Sequence, residues 1–401
     1  MKAVVVVLSG VADRPAKRLK DRTPLQVART PTLDALAKGG RVGAVATSPR
    51  GTHAGSDVAL LTLLGYDPVR HPLRRGPLEA AGAGIEVGPQ DMVLRGNLVT
   101  LDDERIVDLT AGRVSTEEAT ALLDELSREI VDDGVRIQAV HGYRCVMVIE
   151  DGRSLRIETR PPHDAFGTGV RECYPRGTDS ARVERILDRS RPVLRDHEIN
   201  QVRLDLGENP ANFLWLWGEG ADEDLPAFEA VFGLHGVCVA AAALAKGVAR
   251  KAGFDLVEVD GATGDLDSDL AAKGREAVAR LDSHDLVFVH VQGANEASHQ
   301  GEPLKKVEVI QQADRDVLKP IVEALEGRDE EWKLLIASDH VTATEDDQLS
   351  AGKAPFLIAG SDVEAIRGYP FDEEHAEKSD LQIDDGPSLM SFFLGRNPSK
   401  T

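Results

Sequence analysis

The sequence has few cysteines, no long apolar segment and a deficit of positive charge. Cys145, Cys173 and Cys238 lie far apart without a CxxC spacing, which argues against a thiolate metal cage and indicates a reducing compartment. We therefore expect buried, unreactive thiols. No apolar run approaches the roughly 18 residues that span a bilayer, and the apolar residues 3–8 stop at Ser9. These absences predict a cytoplasmic protein without a membrane segment or an export signal.

The formal net charge is −21, from 68 acidic and 47 basic residues spread along 401 positions. Such a surface repels phosphate backbones and anionic lipid, which argues against nucleic acid and membranes as partners. The sequence also lacks a GxxxxGK[ST] phosphate loop. Gly82 and Gly84 do not complete a dinucleotide fingerprint, because Val87 stands where the third glycine should be. The common nucleotide-binding motifs are therefore excluded.

Buried β-branched runs alternate with helical segments through most of the chain. The predicted strands are residues 2–8, 42–46, 237–242, 255–259, 285–291, 333–338 and 355–359. The predicted helices between them include residues 32–38, 244–252 and 301–325. Continuous apolar strands separated by helices are typical of an α/β fold with a mainly parallel sheet flanked by helices. The chain is also longer than the ~150 residues typical of one domain, so we expect a second domain.

The middle of the chain has a different pattern. Residues 115–130 predict an amphipathic helix that begins with a capping box. Two predicted strands follow, 144–149 and 155–159, joined by the turn-forming pair at 151–152. A helix with a hairpin indicates a small α+β lid domain. We place this inserted lid at residues 93–178, and the core at residues 1–92 and 179–401.

Polar residues follow the predicted strands, at the edge where an open α/β sheet binds its ligands. Asp339 and His340 come directly after one buried strand, and Asn295 and His299 share one helical face after another. This pattern is that of a metal site. Ser56 begins a predicted helix, where free N–H groups favour phosphate, and it can act as a nucleophile if nearby cations activate it. Alternatively, Ser56 is only a helix cap and the histidines are only hydrogen-bonded.

Several longer motifs carry a family resemblance. They are residues 55–68 (GSDVALLTLLGYDP), 75–85 (RGPLEAAGAGI), 111–113, 210–212 and 288–291. These motifs resemble the archaeal-type, cofactor-independent (2,3-bisphosphoglycerate-independent) phosphoglycerate mutases of the alkaline phosphatase superfamily. The likeness extends from the first strand to about Ile358. It implies an alkaline phosphatase-like core with two metal ions and an inserted lid, and a serine that is transiently phosphorylated while phosphate moves between the 3- and 2-hydroxyls of glycerate.

The resemblance implies roles for individual residues of this sequence. Ser56 matches the nucleophile, and His163 matches a histidine that serves acid–base chemistry. Three residues match metal ligands: Asp339, His340 and His299. Three others match substrate-binding cations: Arg144, Arg203 and Lys246. Each of these cations has an alternative role as a surface charge or an ion-pair partner of the abundant carboxylates.

Three positions depart from the family's metal-binding pattern. Ser9 and Asn295 stand where aspartates are expected, and Leu349 stands where a histidine is expected. Even changes outside the direct ligands weaken metal affinity or activity by ~10–100-fold, so the loss of direct ligands weakens it further. The family uses two divalent metals (Mn, Mg or Zn), and we expect at most one weakly bound ion here.

Three functions remain open at this stage. The first is a mutase that works with an altered site, and the second is a catalytically inactive paralogue that binds a phosphorylated metabolite or a protein partner. The third is a related phosphotransferase, because residues 215–220 resemble a branch proposed to phosphorylate alcohols such as homoserine, and Trp217 replaces an arginine common in the mutase branch. The expected ligand is a small phosphorylated metabolite.

Overall fold

The computed structural model describes residues 1–130, 134–345 and 352–396, together with the backbone of 349–350. The chain forms two compact units, Met1–Pro72 with Leu225–Thr401, and Leu73–Asp224. The strands are β1 (Lys2–Leu8), β2 (Arg41–Val45), β3 (Met92–Asp102), β4 (Arg105–Asp108), β5 (Val135–His141), β6 (Arg144–Ile149), β7 (Phe213–Gly220), β8 (Gly236–Val239), β9 (Asp255–Val257), β10 (Leu286–Val291), β11 (Trp332–Ala337), β12 (Val341–Thr342), β13 (Leu349–Ser350), β14 (Ala354–Gly360) and β15 (Gln382–Ile383). The helices are α1 (Pro24–Val27), α2 (Pro31–Gly39), α3 (Ser56–Leu63), α4 (Arg75–Ala83), α5 (Thr116–Glu129), α6 (Ser180–Asp196), α7 (Glu198–Asp205), α8 (Phe228–Phe232), α9 (Ala243–Lys251), α10 (Leu270–Arg280), α11 (Gly293–His299), α12 (Pro303–Ala313), α13 (Lys319–Glu326), α14 (Glu373–Lys378) and α15 (Ser388–Leu394).

The first unit contains a large sheet with the strand order β15-β2-β14-β11-β1-β10-β8-β9 among the described residues. β11, β1, β10, β8 and β9 run parallel, and β14 runs antiparallel to both of its neighbours. Residues 3–8 of the central strand β1 are all buried, as both faces of a helix-covered sheet require. The expected α/β core with a mainly parallel sheet is therefore confirmed.

The long helix predicted at 301–325 is interrupted in the structure. α12 ends at Ala313, a π-helical turn follows at Asp314–Leu318, and α13 then begins. The Asp314 carboxylate accepts the backbone N–H groups of Thr32 and Leu33 at 3.2 and 2.7 Å. The turn thus provides a cap for the first turn of α2, whose N–H groups have no partner within their own helix.

The second unit is built on the sheet β4-β3-β6-β5, and β7 also pairs with β3. The predicted helix at 115–130 is confirmed as α5, but the predicted strand at 155–159 is wrong. That segment forms only an isolated bridge from Glu158 to Arg176. β6 pairs with β3 on one side and β5 on the other, so it has no free edge for a third partner.

The second unit extends beyond the predicted insert at 93–178 on both sides. It also contains α4, α6, α7 and β7, of which α4 packs on β3 and α6 packs on β7. All three cysteines are buried and unpaired, as expected. Burial raises the pKa of the Cys145 and Cys238 thiols to about 12, which keeps them protonated. None of the described helices is long and apolar enough to cross a membrane.

Candidate functional site

The ends of neighbouring parallel strands bring Ser9 and Asp339 together. β1 lies between β10 and β11, so the residues that follow these strands meet at one edge of the sheet. The Ser9 hydroxyl donates to Asp339 Oδ2 at 2.7 Å, and the Gly10 N–H donates to Oδ1 at 2.8 Å. Gly10 has φ +67°, and a Cβ on it would lie 2.7 Å from the Cα of Asn295, so only glycine fits this position.

Asp339 is the buried anion of this edge. Burial alone would raise its pKa, but the facing His340 and the hydrogen bonds from Ser9 and Gly10 outweigh burial and hold the pKa well below its usual range. Asp339 Oδ2 lies 3.1 Å from His340 Nε2, and both side chains are buried. The carboxylate therefore stays charged and stabilises positive charge on the imidazole.

Ser56 lies directly against His340. Its Oγ is 2.8 Å from His340 Nε2. Ser56 is the first residue of α3, and the cap position belongs to Gly55, which has no side chain to cap with. The alternative that Ser56 is merely the helix cap is therefore wrong. The hydroxyl instead faces a potential proton acceptor.

Thr342 holds the other side of the His340 ring and was not singled out from the sequence. His340 Nδ1 lies 2.7 Å from Thr342 Oγ1, and the Thr342 hydroxyl donates to Asn295 Oδ1 at 3.4 Å. Because this hydroxyl donates its proton to Asn295, its oxygen accepts from His340 Nδ1–H. A neutral ring with its proton on Nδ1 has its Nε2 lone pair available to Ser56, whereas an imidazolium donates Nε2–H to Asp339 Oδ2. The only sequence signal for Thr342 is its place two residues after His340.

Asn295 and His299 face each other on α11, as their spacing predicts. Asn295 Nδ2 lies 3.0 Å from His299 Nε2. With the contact to Thr342, this pair joins the residues at the ends of β1 and β11 in one hydrogen-bonded set. We call this set the serine–histidine network, and it comprises Ser9, Ser56, Asn295, His299, Asp339, His340 and Thr342.

The donor atoms of this network do not fit the two-metal cage that the resemblance implies. Among the described residues of this network Asp339 is the only carboxylate, and its two oxygens already accept N–H or O–H groups of Ser9, Gly10 and the backbone of His340. Asn295 directs its amide oxygen to Thr342 and its amide nitrogen to His299. One carboxylate, one amide and two imidazoles carry too little negative charge to hold two dications close together.

Asp13 and Leu349 do not change this result. The Asp13 carboxylate accepts the buried Lys306 ammonium at 2.8 Å and the Thr344 hydroxyl. It is thus neutralised by a side chain of the protein itself. Leu349 lies in the short strand β13, opposite Thr342, and its side chain lies outside the described residues.

A second group of charged residues lies within the second unit. We define the arginine cluster as Arg75, Arg95 and Arg144 with their shared carboxylate Glu79. Glu79 Oε1 accepts Arg75 at 2.9 Å and Arg95 at 2.8 Å, and the guanidinium carbons of these two arginines lie 5.6 and 5.0 Å from the centre of the Trp217 ring. The charges of all three arginines act on this one buried carboxylate.

The neighbouring charges shift the pKa values of both Arg95 and Glu79. Burial lowers the pKa of Arg95 to about 10; Glu79 opposes this decrease, while Arg75 and Arg144 add to it. Burial would raise the pKa of Glu79, but the three arginines outweigh burial and lower it. Arg144 was predicted from the sequence but the other two arginines were not, although Arg75 lies in the RGP motif at residues 75–77. Arg95 was missed because a buried arginine within an apolar strand gives no local signal.

Of the other residues predicted for the site, His163 lies beside the arginine cluster, because it contacts the Trp217 ring that Arg75 and Arg95 also contact, while Lys246 and Arg203 form other ion pairs. His163 is in the second unit, edge-on to the Trp217 ring with 6.0 Å between ring centres. Lys246 Nζ contacts both oxygens of the exposed Glu258 at 2.7 and 2.6 Å. Arg203 is buried, and all five of its N–H donors are used by Glu118 and by the backbone carbonyls of residues 111, 112 and 209. These contacts assign Arg203 a structural role within the second unit.

The fold and the site together define an α/β protein in which a serine hydroxyl contacts a histidine that follows a strand of a mainly parallel sheet. Comparison with known proteins then identifies its family. A family model described as 2,3-bisphosphoglycerate-independent phosphoglycerate mutase matches residues 37–200. A relative of that name from Methanothrix thermoacetophila is 38% identical over 98% of this chain and 100% of its own. A second, from Methanothermobacter thermautotrophicus, is 39% identical over 98% of this chain and 97% of its own.

Solved structures agree with these sequence relatives. A protein from Pyrococcus horikoshii matches with a TM-score of 0.78 and 30% identity, covering 100% of this chain and 99% of its own. A cofactor-independent phosphoglycerate mutase from Thermoplasma acidophilum matches with a TM-score of 0.59 and 27% identity, covering 98% and 99%. The chain belongs to the 2,3-bisphosphoglycerate-independent phosphoglycerate mutase family.

Proposed function

We propose that the protein interconverts 3-phosphoglycerate and 2-phosphoglycerate through a phosphorylated Ser56. The observation that carries this proposal is the 2.8 Å contact between Ser56 Oγ and His340 Nε2 at the carboxyl edge of the sheet. The relatives that are named phosphoglycerate mutases support the choice of substrate. Since this set of donors does not fit two metals, we expect at most one weakly bound divalent ion, and the steps below use none.

His340 serves as the base in the first step. Ser56 Oγ attacks phosphorus and forms the new O–P bond, while the bond from phosphorus to the glycerate oxygen breaks. The Ser56 proton moves to His340 Nε2, and Asp339 Oδ2, at 3.1 Å, stabilises the imidazolium. The released glycerate oxygen gains a proton. In the second step the other glycerate hydroxyl loses a proton and attacks phosphorus, the bond from phosphorus to Ser56 Oγ breaks, and His340 Nε2 returns its proton to Ser56 Oγ.

The acid that serves the glycerate oxygens is assigned by resemblance. His163 matches the family's acid–base histidine, and its imidazole can exchange a proton near neutral pH. A His163→Gln variant is expected to slow turnover without weakening substrate binding. A loss of binding with unchanged turnover would contradict the assignment.

The arginine cluster independently supports an anionic ligand. Guanidinium groups bind phosphate and carboxylate in a bidentate manner, and three of them lie around the single buried carboxylate of Glu79. A bound anion would relieve the repulsion between Arg75, Arg95 and Arg144. This property fits a ligand that carries both a phosphate and a carboxylate.

A second candidate function is binding without turnover. The reduced set of metal ligands favours it, because a transferring phosphoryl group loses the cations that stabilise its charge. Such a paralogue would bind a phosphorylated metabolite or a protein partner. Phosphoryl transfer to another small alcohol, such as homoserine, is the third candidate, and Trp217 favours it because its ring takes the place of an arginine beside Arg75 and Arg95.

Measurements of turnover, ligand binding and homoserine phosphorylation with matched variants separate these functions. Turnover of 3-phosphoglycerate is measured for the wild type, for Ser56→Ala and for Ser361→Ala, which removes a serine hydroxyl after β14, at the opposite edge of the sheet. We expect turnover that Ser56→Ala abolishes and Ser361→Ala preserves, that persists in EDTA, and a phosphorylated Ser56 peptide by mass spectrometry. Turnover retained by Ser56→Ala would refute the mechanism. Absent turnover with a ligand-dependent rise in Tm would establish binding alone, and phosphorylation of homoserine in place of phosphoglycerate turnover would establish the third function.

A further inference from the structure

Two histidines and an aspartate converge at the opposite edge of the large sheet. His235 directly precedes β8, Asp255 is the first residue of β9, and His284 lies two residues before β10. These three strands are parallel neighbours in the order β10-β8-β9. The three side chains therefore meet at the amino ends of the strands, roughly 20 Å along β10 from the serine–histidine network at about 3.3 Å per residue.

We propose that His235, Asp255 and His284 form a binding site for a divalent transition metal ion of the zinc class. His235 Nε2 and His284 Nε2 each lie 3.2 Å from Asp255 Oδ2, and the three ligand atoms all lie within 4.8 Å of one another. Ligands at about 2.05 Å from a tetrahedral ion are separated by about 3.3 Å. The two histidine–aspartate distances already match this separation.

The second nitrogen of His284 has a hydrogen-bond partner, and the second nitrogen of His235 faces a carboxylate at a longer distance. His284 Nδ1 lies 2.8 Å from the Ser283 hydroxyl, and His235 Nδ1 lies 3.8 Å from a Glu229 carboxylate oxygen. Metal-binding histidines commonly donate this second N–H to such a group, which fixes the tautomer and orients the ring. With the proton on Nδ1, both Nε2 lone pairs face Asp255. An ion beside Asp255 would take up both lone pairs, whereas without an ion each ring can donate Nε2–H to Asp255 Oδ2.

The backbones that carry these ligands are held together. The N–H of His235 donates to the Asp285 carboxylate at 3.0 Å, and the His235 carbonyl accepts the N–H groups of Asp285 and Leu286 at 3.0 and 3.1 Å. Lys2 Nζ donates to the carbonyl of His284 at 3.1 Å. Two of the three ligands thus sit on segments that are hydrogen-bonded to each other. Preorganisation of this kind strengthens ion binding, because little ordering remains to be done.

The exposure and the charge of these three side chains also suit a metal ion. The His284 side chain is 9% exposed, whereas those of His235 and Asp255 are 43% and 64% exposed, so an ion can enter from solvent. The two rings are stacked, with 4.9 Å between their centres and 14° between their planes. Closure around an ion therefore requires His235, the more exposed ring, to tilt toward the other two ligands. Two imidazoles and one carboxylate favour Zn²⁺, Co²⁺ or Ni²⁺ over Mg²⁺ or Ca²⁺.

The test is a metal titration of the full-length protein after removal of metals with EDTA. Zn²⁺ binding is followed by calorimetry, and Co²⁺ binding by its visible absorption, for the wild type, Asp255→Asn and His284→Gln. His375→Gln is the matched control, because His375 forms a histidine–aspartate pair with Asp372 elsewhere in the same unit. An Asp339→Asn variant tests whether the bound ion belongs to the serine–histidine network instead.

We expect one equivalent of Zn²⁺ and a rise in Tm with added Zn²⁺. Asp255→Asn and His284→Gln are each expected to weaken binding by more than about 100-fold, since they remove direct ligands. The equivalent should persist in His375→Gln and in Asp339→Asn. The proposal is overturned if Asp255→Asn binds Zn²⁺ as the wild type does, or if Asp339→Asn removes the equivalent. Circular dichroism of each variant without metal verifies that the lost binding does not reflect unfolding.

Discussion

Restoring the missing carboxylate at position 9 provides a sharp test of the site. Ser9 and Asp339 are both fully buried, and the Ser9 hydroxyl lies 2.7 Å from Asp339 Oδ2. A Ser9→Asp substitution replaces this hydrogen-bond donor with a second carboxylate about 4 Å from the first. Two like charges at that separation repel by about 4 kcal/mol at an effective dielectric constant of about 20. We therefore expect Ser9→Asp to lower the free energy of unfolding by about 3–4 kcal/mol at pH 7 in EDTA.

The matched control is Ser9→Asn, which has nearly the same size and shape without the charge. Both variants lose the Ser9 hydroxyl, so their difference isolates the charge. The repulsion raises the pKa of the introduced carboxyl in the folded state, so the penalty is present above that pKa and disappears as the pH falls towards about 4. Excess Mn²⁺ should remove the penalty at pH 7, because an ion between two carboxylates converts repulsion into attraction.

Equilibrium urea unfolding measures these differences in EDTA and in excess Mn²⁺. Equal stability of Ser9→Asp and Ser9→Asn in EDTA would refute the inferred proximity of the two carboxylates. A penalty that Mn²⁺ leaves unchanged would refute the inference that a lost anion is what keeps metal from this edge. Recovery in Mn²⁺ accompanied by faster turnover of 3-phosphoglycerate would indicate that Ser9 is the main reason for the weakened metal site.

Two other substitutions test buried charges. Arg95→Met is expected to destabilise the second unit by about 3–5 kcal/mol in urea unfolding, because it removes a cation that neutralises the buried Glu79 carboxylate. The control Arg136→Met changes a half-exposed ion pair and is expected to cost less than about 1 kcal/mol. Similar losses of stability in the two variants would contradict the conclusion that Arg95 neutralises a buried charge. Burial raises the pKa of Glu373 from 4.5 to about 7, so the folded state binds a proton more tightly than the unfolded state, and stability falls as the pH rises through this range. Glu373→Gln should flatten this pH dependence of stability and stabilise the protein at pH 8 by on the order of 2 kcal/mol. Glu374→Gln, which changes an exposed side chain, should leave the pH dependence unchanged. A wild type whose Tm does not vary between pH 4.5 and 7 would contradict the raised pKa of Glu373.

The sheet of the first unit was largely predictable because its signal is local. β1, β10 and β11 are continuous β-branched or apolar runs, and their observed bounds lie within one residue of the predicted ones. The meeting of Ser9, Asn295 and Asp339 followed from the rule that parallel strands end at the same edge. The contact of Ser56 with His340 agrees with the family resemblance, but its 2.8 Å geometry depends on how α3 packs, which no local pattern reveals.

The second unit was harder to predict because its interactions join distant residues. β3 contains Arg95 and Asn97 in its buried interior, and a strand with such residues does not read as a core strand. They are tolerated there because Glu79, sixteen residues earlier, and Trp217, over a hundred residues later, satisfy their hydrogen bonds. The strand predicted at 155–159 does not form because β6, its expected partner, is paired with β3 on one side and β5 on the other.

The insertion between Pro72 and Leu225 has a consequence for how the chain folds during synthesis. β1 is made long before its two sheet neighbours, which begin at Leu286 and Trp332, so it cannot pair until those segments have left the ribosome. The second unit is one unbroken segment and can fold as soon as it emerges. Until its partners are made, the apolar strand β1 is unpaired and prone to aggregation, and binding of a chaperone to this nascent segment would protect it.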